Sequence, residues 1–274
     1  MYPEALVALA CPVCTATLAL DTSTIEAGLP VTHGTLRCSG CGAQYPIRDG
    51  IADFLNAPQP TSIAQRTNEP AITAWAYERL WRPYALTLLS GERFPYRREL
   101  PLITTMADAR AGGIVIDIGC SCGLYARAMT RARGATPGHV IGVDRSFAML
   151  REAHRRAQAA GLRISYVRAT AQQLPIAAEA CSAAVVGGSL NEIGDLDACL
   201  AEIRRTLRPH GRFAAMSLLA AIGPLGITVQ RAIVAGGLQF WRADELLARF
   251  VAHGLIPDRH ETYGIVMFSG AHNM

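Results

Sequence analysis

The run Ile114-Val115-Ile116-Asp117-Ile118 passes straight into the turn "GCSCG" (119–123) and then into "LYARAMTRAR", which has helical character. A short β-branched run without polar alternation reads as a strand buried on both faces. Gly119 and Gly123 free the backbone to turn sharply and let a ligand approach it. The same grammar recurs downstream. "HVIGV" ends at Asp144, and Ser146 can cap a helix whose Leu150, Ala153, Ala157 and Ala160 fall at helical spacing. "RISYV" and "AAVVGG" read as the third and fourth strands. Asp195 opens a helix with Leu196, Cys199, Leu200, Ile203 and Leu207 on one face, and "GRFAAMSLL" is the fifth strand. A helix from about Arg242 to His253 and two apolar runs around Ile256 and Ile265 complete the sheet. Repeated β-α units predict an α/β fold with a doubly wound, mostly parallel sheet and right-handed crossovers. No internal repeat is found.

Eight cysteines divide into two populations. Cys11, Cys14, Cys38 and Cys41 are spaced C-x2-C-x23-C-x2-C, so each close pair can sit on a tight turn and offer two thiolates to one tetrahedral zinc. Gly40 and Gly42 fall where the second turn needs left-handed backbone. Four protein ligands leave no open position, which makes this zinc structural. A segment of about 55 residues has too little core to fold securely alone, and a bound metal supplies what is missing. Cys181 and Cys199 read as small buried hydrophobes. Cys120 and Cys122 lack further ligands and belong to the glycine turn.

With 274 residues the chain can hold one ordinary domain and a small one, and at 50% hydrophobic and 18% charged it is not a disordered sequence. The N-terminal "MYPEALVALACPVC" lacks a basic region before its first cysteine pair, so no signal peptide is expected. The longest apolar stretch, Phe213 to Val229, is interrupted by Gly223, Pro224 and Gly226 and falls short of a membrane span. No membrane partner and a cytoplasmic location with reduced thiols are therefore expected. The net charge of +4 comes without a basic run, so a nucleic-acid partner is the lesser expectation.

Between these regions, "NAPQPTSIAQRTNEP" (56–70) reads as a linker. Residues 71–110 look helical, with Trp75, Tyr77, Leu80, Trp81 and Tyr84 forming an aromatic patch that can serve as packing face or lid. The expected organisation is a zinc ribbon at 1–56, a linker and helical cap at 57–111, and the sheet domain at 112–274.

In a doubly wound sheet a ligand lies across the carboxyl ends of the strands. Asp144, ending the second strand, can accept hydrogen bonds from both ribose hydroxyls of an adenosine. A dinucleotide fingerprint would require G-x-G-x-x-G, but Ser121 occupies the middle position and Leu124 the last. A nucleoside ligand suits the turn better than a nicotinamide dinucleotide does.

"VIDIGCSCG", "VIGVDRSFAML", "ATAQQLPI" and "CLAEIRRTLRPHGRF" follow one another as in class I S-adenosylmethionine-dependent methyltransferases, which residues 112–220 resemble closely and the remainder more loosely. The first 55 residues resemble the Trm112-like zinc module through "CPVC", "CSGC" and "YPIRDGIADFL". "YERLWRP" (77–83) is similar to the cap of small-molecule methyltransferases that carry this module. The resemblance implies a seven-stranded Rossmann-like sheet. It places Asp117, Gly119, Ser121, Gly123 and Gly188 at the methionine end of the cofactor and Asp144 on the ribose. Arg145 and Phe147 would lie beside the adenine, with Thr170, Ala171 and Gln172 at its edge. Ser121, Thr170 and His210 depart from the residues usual in that family.

Methyl transfer from a sulfonium is an in-line displacement, so alignment and exclusion of water dominate. Asn191 and Glu192 follow the fourth strand and are the expected substrate contacts, with Glu192 the candidate base and Tyr77 closing the pocket. His139 and His154 read as structural. The leading expectation is methylation of a small, largely apolar acceptor, with specialised (natural-product) metabolism as the expected setting. The alternatives are ribosomal or transfer RNA methylation, a sulfonium-assisted cyclisation, and a non-catalytic cofactor-binding scaffold. For RNA, the ribbon offers only Arg37 and Arg48 with His33 nearby.

Overall fold

The polarity of the sheet follows from how its strands are connected. In the computed structural model, which describes residues 1–21, 29–55, 62–66 and 69–274, β5 (Gly113–Ile118), β6 (Gly138–Asp144), β7 (Ile164–Arg168), β8 (Cys181–Gly187) and β9 (Leu207–Leu218) pair in parallel. β10 (Leu255–Tyr263) and β11 (Val266–Asn273) form a hairpin whose second strand pairs antiparallel with β9. Their order, β7-β6-β5-β8-β9-β11-β10, contains the seven strands that the sequence predicts. Alternate residues of the central strands feed different cores. Ile116, Ile118, Ile141 and Val143 pack with α8 (Leu196–Thr206) and α10 (Ala243–Ala252). Val115 and Val140 pack with α5 (Tyr96–Met106), α6 (Leu124–Arg133) and α7 (Phe147–Ala159). Ser146 and Asp195 cap α7 and α8 as expected, accepting from the Met149 and Ala198 amides.

The N-terminal segment is joined to the main sheet, a connection that the sequence does not declare. Its strands β1 (Leu18–Asp21), β2 (Gly34–Cys38), β3 (Gln44–Arg48) and β4 (Ile51–Asp53) do not make a sheet of their own. β4 pairs in parallel with β7 and extends one sheet to eleven strands. Strand β7 would otherwise be an open edge with unpaired backbone groups, and the ribbon satisfies them. Leu36, Tyr45 and Ile47 join the same core as α8 and α10. Most of the linker proposed at 56–70 lies outside the described residues; Ser62 and Gln65 do not.

The cap follows as α3 (Ala71–Ala76), a π-helical turn at Tyr77–Trp81, and α4 (Arg82–Ser90). A π-turn fits an extra residue into the helix and re-aims its side chains, a feature common at functional sites. Charges hold this cap. Glu78 meets Arg127 and, at 3.1 Å, Arg156. Glu99, fully buried, takes both terminal nitrogens of Arg82 and the Tyr125 hydroxyl at 2.7 Å. Removing one partner of such a buried pair costs about 3–5 kcal/mol because the other charge is stranded. Glu99→Ala is therefore expected to lower the unfolding free energy by about that amount, read from urea midpoints; a change under about 1 kcal/mol would show that Arg82 is solvated instead.

Candidate active site

The sheet changes direction between β5 and β8, where the chain has run outward through β6 and β7 and then returns to the other side of β5. Such a switch point leaves a crevice at the carboxyl ends of the strands. Here it is a cavity of about 920 Å³, lined from every strand end that borders it. The turn after β5 brings Gly119 and Ser121, and β6 brings Asp144 and Arg145. The turn after β7 brings Thr170, Ala171 and Gln172, and the turn after β8 brings Gly188 and Glu192. The cap closes it with Tyr77, Trp81, Arg82, Leu86 and Leu89.

The glycine turn is built around an acid. Gly119, Ser121 and Gly123 all have positive φ (64°, 49° and 76°), so three of the five residues in "GCSCG" are left-handed. This conformation is free for glycine and costs a serine about 1–2 kcal/mol. It aims the Ser121 amide at Asp144 Oδ2, 2.8 Å away, while the Ser146 amide donates to Oδ1 at 2.8 Å. Both oxygens are thereby fixed at the cavity wall. Burial moves the Asp144 pKa upward, with these amides opposing the shift. The Ser121 hydroxyl, the odd residue of the turn, points to Met149 Sδ at 3.5 Å.

A chain of polar contacts spans the cavity. Asp53 of β4 pairs with Arg168 at 3.2 Å, and Arg168 Nε donates to the Arg145 carbonyl at 2.9 Å. Arg145 donates to Gln65 Oε1 at 2.6 Å, and Gln65 Nε2 donates to the Glu192 carbonyl at 2.7 Å. The Gln172 amide likewise donates to the Ile193 carbonyl, joining the turns after β7 and β8. Gln65 and Arg82 were missed from sequence. Gln65 sits in what reads as linker, and Arg82 carries no pattern to set it apart from surface arginines.

Four expected site residues, Asn191, Phe147, Gly123 and Asp117, do not line this cavity. Asn191 is 1% exposed and does not line the cavity. Its Nδ2 donates to the Leu218 and Gln239 carbonyls (2.8 and 2.6 Å) and its Oδ1 accepts from the Leu218 amide (2.9 Å). Both amide protons and the oxygen are engaged with backbone, so it braces β9 away from the cavity. Phe147 is also absent from the lining; its ring lies under the Arg151 guanidinium at 4.7 Å. Gly123 caps α6, where a Cβ would meet the Tyr166 hydroxyl at 2.9 Å. Asp117 is buried behind the turn, with Oδ2 accepting from the Ala126 amide at 2.7 Å. Burial pushes its pKa up to about 7. Glu192 does border the cavity; burial, then the nearby Asp144, raises its pKa. Tyr77 borders it too, its phenol pushed up to about 12 by burial.

The sulfur atoms of Cys11, Cys14, Cys38 and Cys41 lie within 4.8 Å of one another, with Cys11 to Cys41 at 3.7 Å and Cys14 to Cys38 at 3.3 Å. A tetrahedral zinc with Zn–S of about 2.3 Å needs edges of about 3.8 Å, so the set fits with small adjustment. The Gly40 and Cys41 amides point at Cys38 Sγ (3.3 and 3.4 Å). Gly42 is left-handed as expected. Gly40 is required by space instead, since a Cβ there would meet Ala16 at 2.9 Å.

Comparison with known proteins agrees with this geometry. Residues 115–211 match the family model of a methyltransferase domain, and residues 6–50 that of Trm112p-like proteins. The chain is 29% identical over 167 residues to a ubiquinone/menaquinone biosynthesis C-methyltransferase, UbiE, of Syntrophotalea carbinolica, covering 61% of this chain and 68% of that one. It is 34% identical over 119 residues to a 2-phytyl-1,4-naphtoquinone methyltransferase of Synechococcus elongatus, covering 43% of this chain and 51% of that one. The chain thus spans two thirds of the first relative and half of the second. In fold it is similar to the [4+2]-cyclase SpnF, with a TM-score of 0.59 at 18% identity over 79% of this chain and 98% of that one.

The buried Asp117 predicts a pH dependence of stability. Its folded pKa, about 7, lies above the unfolded value of about 3.9. The folded state therefore holds a proton that the unfolded state has lost, and stability falls as pH rises between those values. Asp117→Asn keeps an acceptor for the Ala126 amide without the charge. It is expected to flatten that slope in urea titrations and to exceed wild type in stability above about pH 7; an unchanged slope would show that the carboxylate is charged when folded.

Proposed function

We propose that this chain, a class I methyltransferase domain joined to a Trm112-like zinc-ribbon module, transfers a methyl group from S-adenosylmethionine to a small, largely apolar acceptor. The observation that carries the reading is the divided lining of one cavity. Its β6 and β7 end is polar, with Asp144, Arg145, Thr170 and Gln172, and suits an adenosyl group. Its cap and β9 end is apolar, with Trp81, Leu86, Leu89, Met216 and Leu218. A volume of about 920 Å³ is at the upper end of the range for ligand pockets, roughly 300–1,000 Å³. The two curated relatives carry quinone substrates in their names, and an aromatic ring of that kind suits the apolar end. The sulfonium cofactor, when bound, supplies an electrophilic methyl group.

This chain's residues position and protect. The fixed Asp144 carboxylate would accept the ribose hydroxyls, and Gly119 would let the methionine end lie against the backbone. The cap would exclude water through Tyr77 and Trp81. Glu192, its pKa raised by burial, would take the proton that an acceptor hydroxyl or ring carbon gives up. Four thiolates would hold a structural zinc. We place the protein in the cytoplasm, where thiols stay reduced and able to ligate zinc, and in specialised metabolism.

Calorimetry with S-adenosylhomocysteine tests the cofactor end. Wild type is expected to bind, and Asp144→Ala to bind roughly a hundredfold more weakly through the loss of two charge-assisted hydrogen bonds. No binding by wild type would overturn the assignment. The ribbon should also matter to this affinity. The Ala10 amide donates to the Pro175 carbonyl at 3.1 Å, and Gln173 Nε2 donates to the Pro12 carbonyl at 2.8 Å, beside Cys11. Gln173 and Thr170 belong to the turn that lines the cavity. Chelating the zinc, or Cys38→Ser, is expected to weaken S-adenosylhomocysteine about tenfold; unchanged affinity in a metal-free, folded protein would show that the ribbon is only attached.

A further inference from the structure

The cap helix is apolar on both sides. Its inner face gives Ala85, Leu86 and Leu89 to the cavity, beside the ion-paired Arg82. On its outer face, Leu80, Tyr84 and Leu88 recur every four residues and are 66%, 69% and 69% exposed, with Trp81 beside them at 50%. Ile72 and Trp75 extend the exposed set along α3. A helix at a water-facing surface turns polar residues outward, and one that is apolar all round is covered. The second element at the cavity mouth repeats the pattern. In α9 (Pro224–Val234), Val229 and Ile233 lie four residues apart and are exposed, Ile222 just before it is fully so, and Gly237 and Leu238 just after it line the cavity.

Charge separates the possible occupants of this face. From 218 to 241 the sequence has no acidic residue and one cation, the exposed Arg231. From 71 to 91 the single acid is Glu78, buried against Arg127 and Arg156. Arg93 and Arg97, both exposed, follow α4. The exposed acids that flank these two segments in sequence are Glu69, ahead of α3, Glu92, which pairs with Arg98 at 3.1 Å, and Asp244 and Glu245, of which Asp244 pairs with Arg242 at 3.0 Å. Trp and Tyr rings among aliphatic side chains, flanked by arginine and nearly free of acid, match the boundary between anionic lipid headgroups and acyl chains. A second copy of the chain seated here would seal the mouth, since Trp81 both lines the cavity and faces solvent.

We infer that this face seats the protein reversibly on an anionic lipid surface and turns the cavity mouth toward the bilayer, from which an apolar acceptor can enter. Among the described residues no helix is long and apolar enough to cross a membrane, so the contact is peripheral. The sequence-based expectation of no membrane partner rested on the lack of a span, which says nothing of such a face. The route of entry rests on the proposed apolar acceptor; the lipid contact does not.

Flotation of the zinc-loaded protein with phosphatidylcholine vesicles, with and without phosphatidylglycerol, tests it. Wild type is expected to float with the phosphatidylglycerol vesicles and to be released by high salt. Leu80→Glu/Leu88→Glu is expected to lower the partition coefficient at least about tenfold while binding S-adenosylhomocysteine as wild type does. That calorimetric control separates the two readings, because loss of cofactor binding bears on the proposed function and loss of flotation bears on this one. The inference is overturned if wild type stays with the soluble fraction or if the double variant floats equally well. It is also overturned if sedimentation shows a lipid-independent dimer that the double variant dissolves.

Discussion

The three-residue parallel ladder between β4 and β7 is what makes the ribbon part of the sheet. Parallel pairing at a sheet edge is a modest interaction by itself, a few hydrogen bonds each worth about 1 kcal/mol net. Its consequence lies in its position. β7 ends at Arg168, and the next residues, 169–173, line the cavity. Asp53, the last residue of β4, holds Arg168, which in turn holds the Arg145 carbonyl. A second set of contacts, from Ala8, Ala10 and Pro12 to residues 173–177, fixes the far end of the same loop. The loop is gripped on both sides by one small module, whose turns carry the four clustered thiols. A cysteine cluster far along the chain from Asp144 is thus connected to it through ordinary backbone hydrogen bonds.

Much of the sheet was legible because each strand announces itself locally. β5 to β9 stand where the β-branched runs stand, and the caps Ser146 and Asp195 are where a hydroxyl and a carboxylate precede an apolar stripe. Asp144 was legible because a strand-end acid faces a glycine turn in this topology whatever the remaining sequence is. The merging of ribbon and sheet was not legible. Ile51, Ala52 and Asp53 form too short a run to declare a strand, and nothing in three residues names a partner more than a hundred positions away.

Asn191 shows why an expected site residue can stand off the cavity. Asn191 and Glu192 are neighbours after β8, and both are polar. Sequence places them at the mouth but not the direction of either side chain. The 3₁₀ turn at Ser189–Glu192 sends one inward to the β9 backbone and the other to the cavity. Gln65 was passed over for the opposite reason. Its role comes from reaching two groups, Arg145 and Glu192, that are 80 and 127 residues away, and a glutamine in a polar stretch carries no periodicity to betray it.

How the cap stays in place follows from where its apolar surface goes. An ordinary surface helix is held by one apolar stripe pressed on the core, with polar residues outside. Here Leu86 and Leu89 of the inner stripe pack on the core beside α5 and also border the cavity, while the outer stripe faces outward. Along the remaining edges charge adds to this packing: Glu78 against α6 and α7, Arg79 against Glu152 at 3.0 Å, and Arg82 against Glu99 of α5. Ion pairs of this kind fix register more than they add stability, since desolvation offsets much of their attraction. A cap held in register by charge keeps Tyr77 and Trp81 over the cavity even while both its apolar faces remain available, one to an acceptor and one to the surface that delivers it.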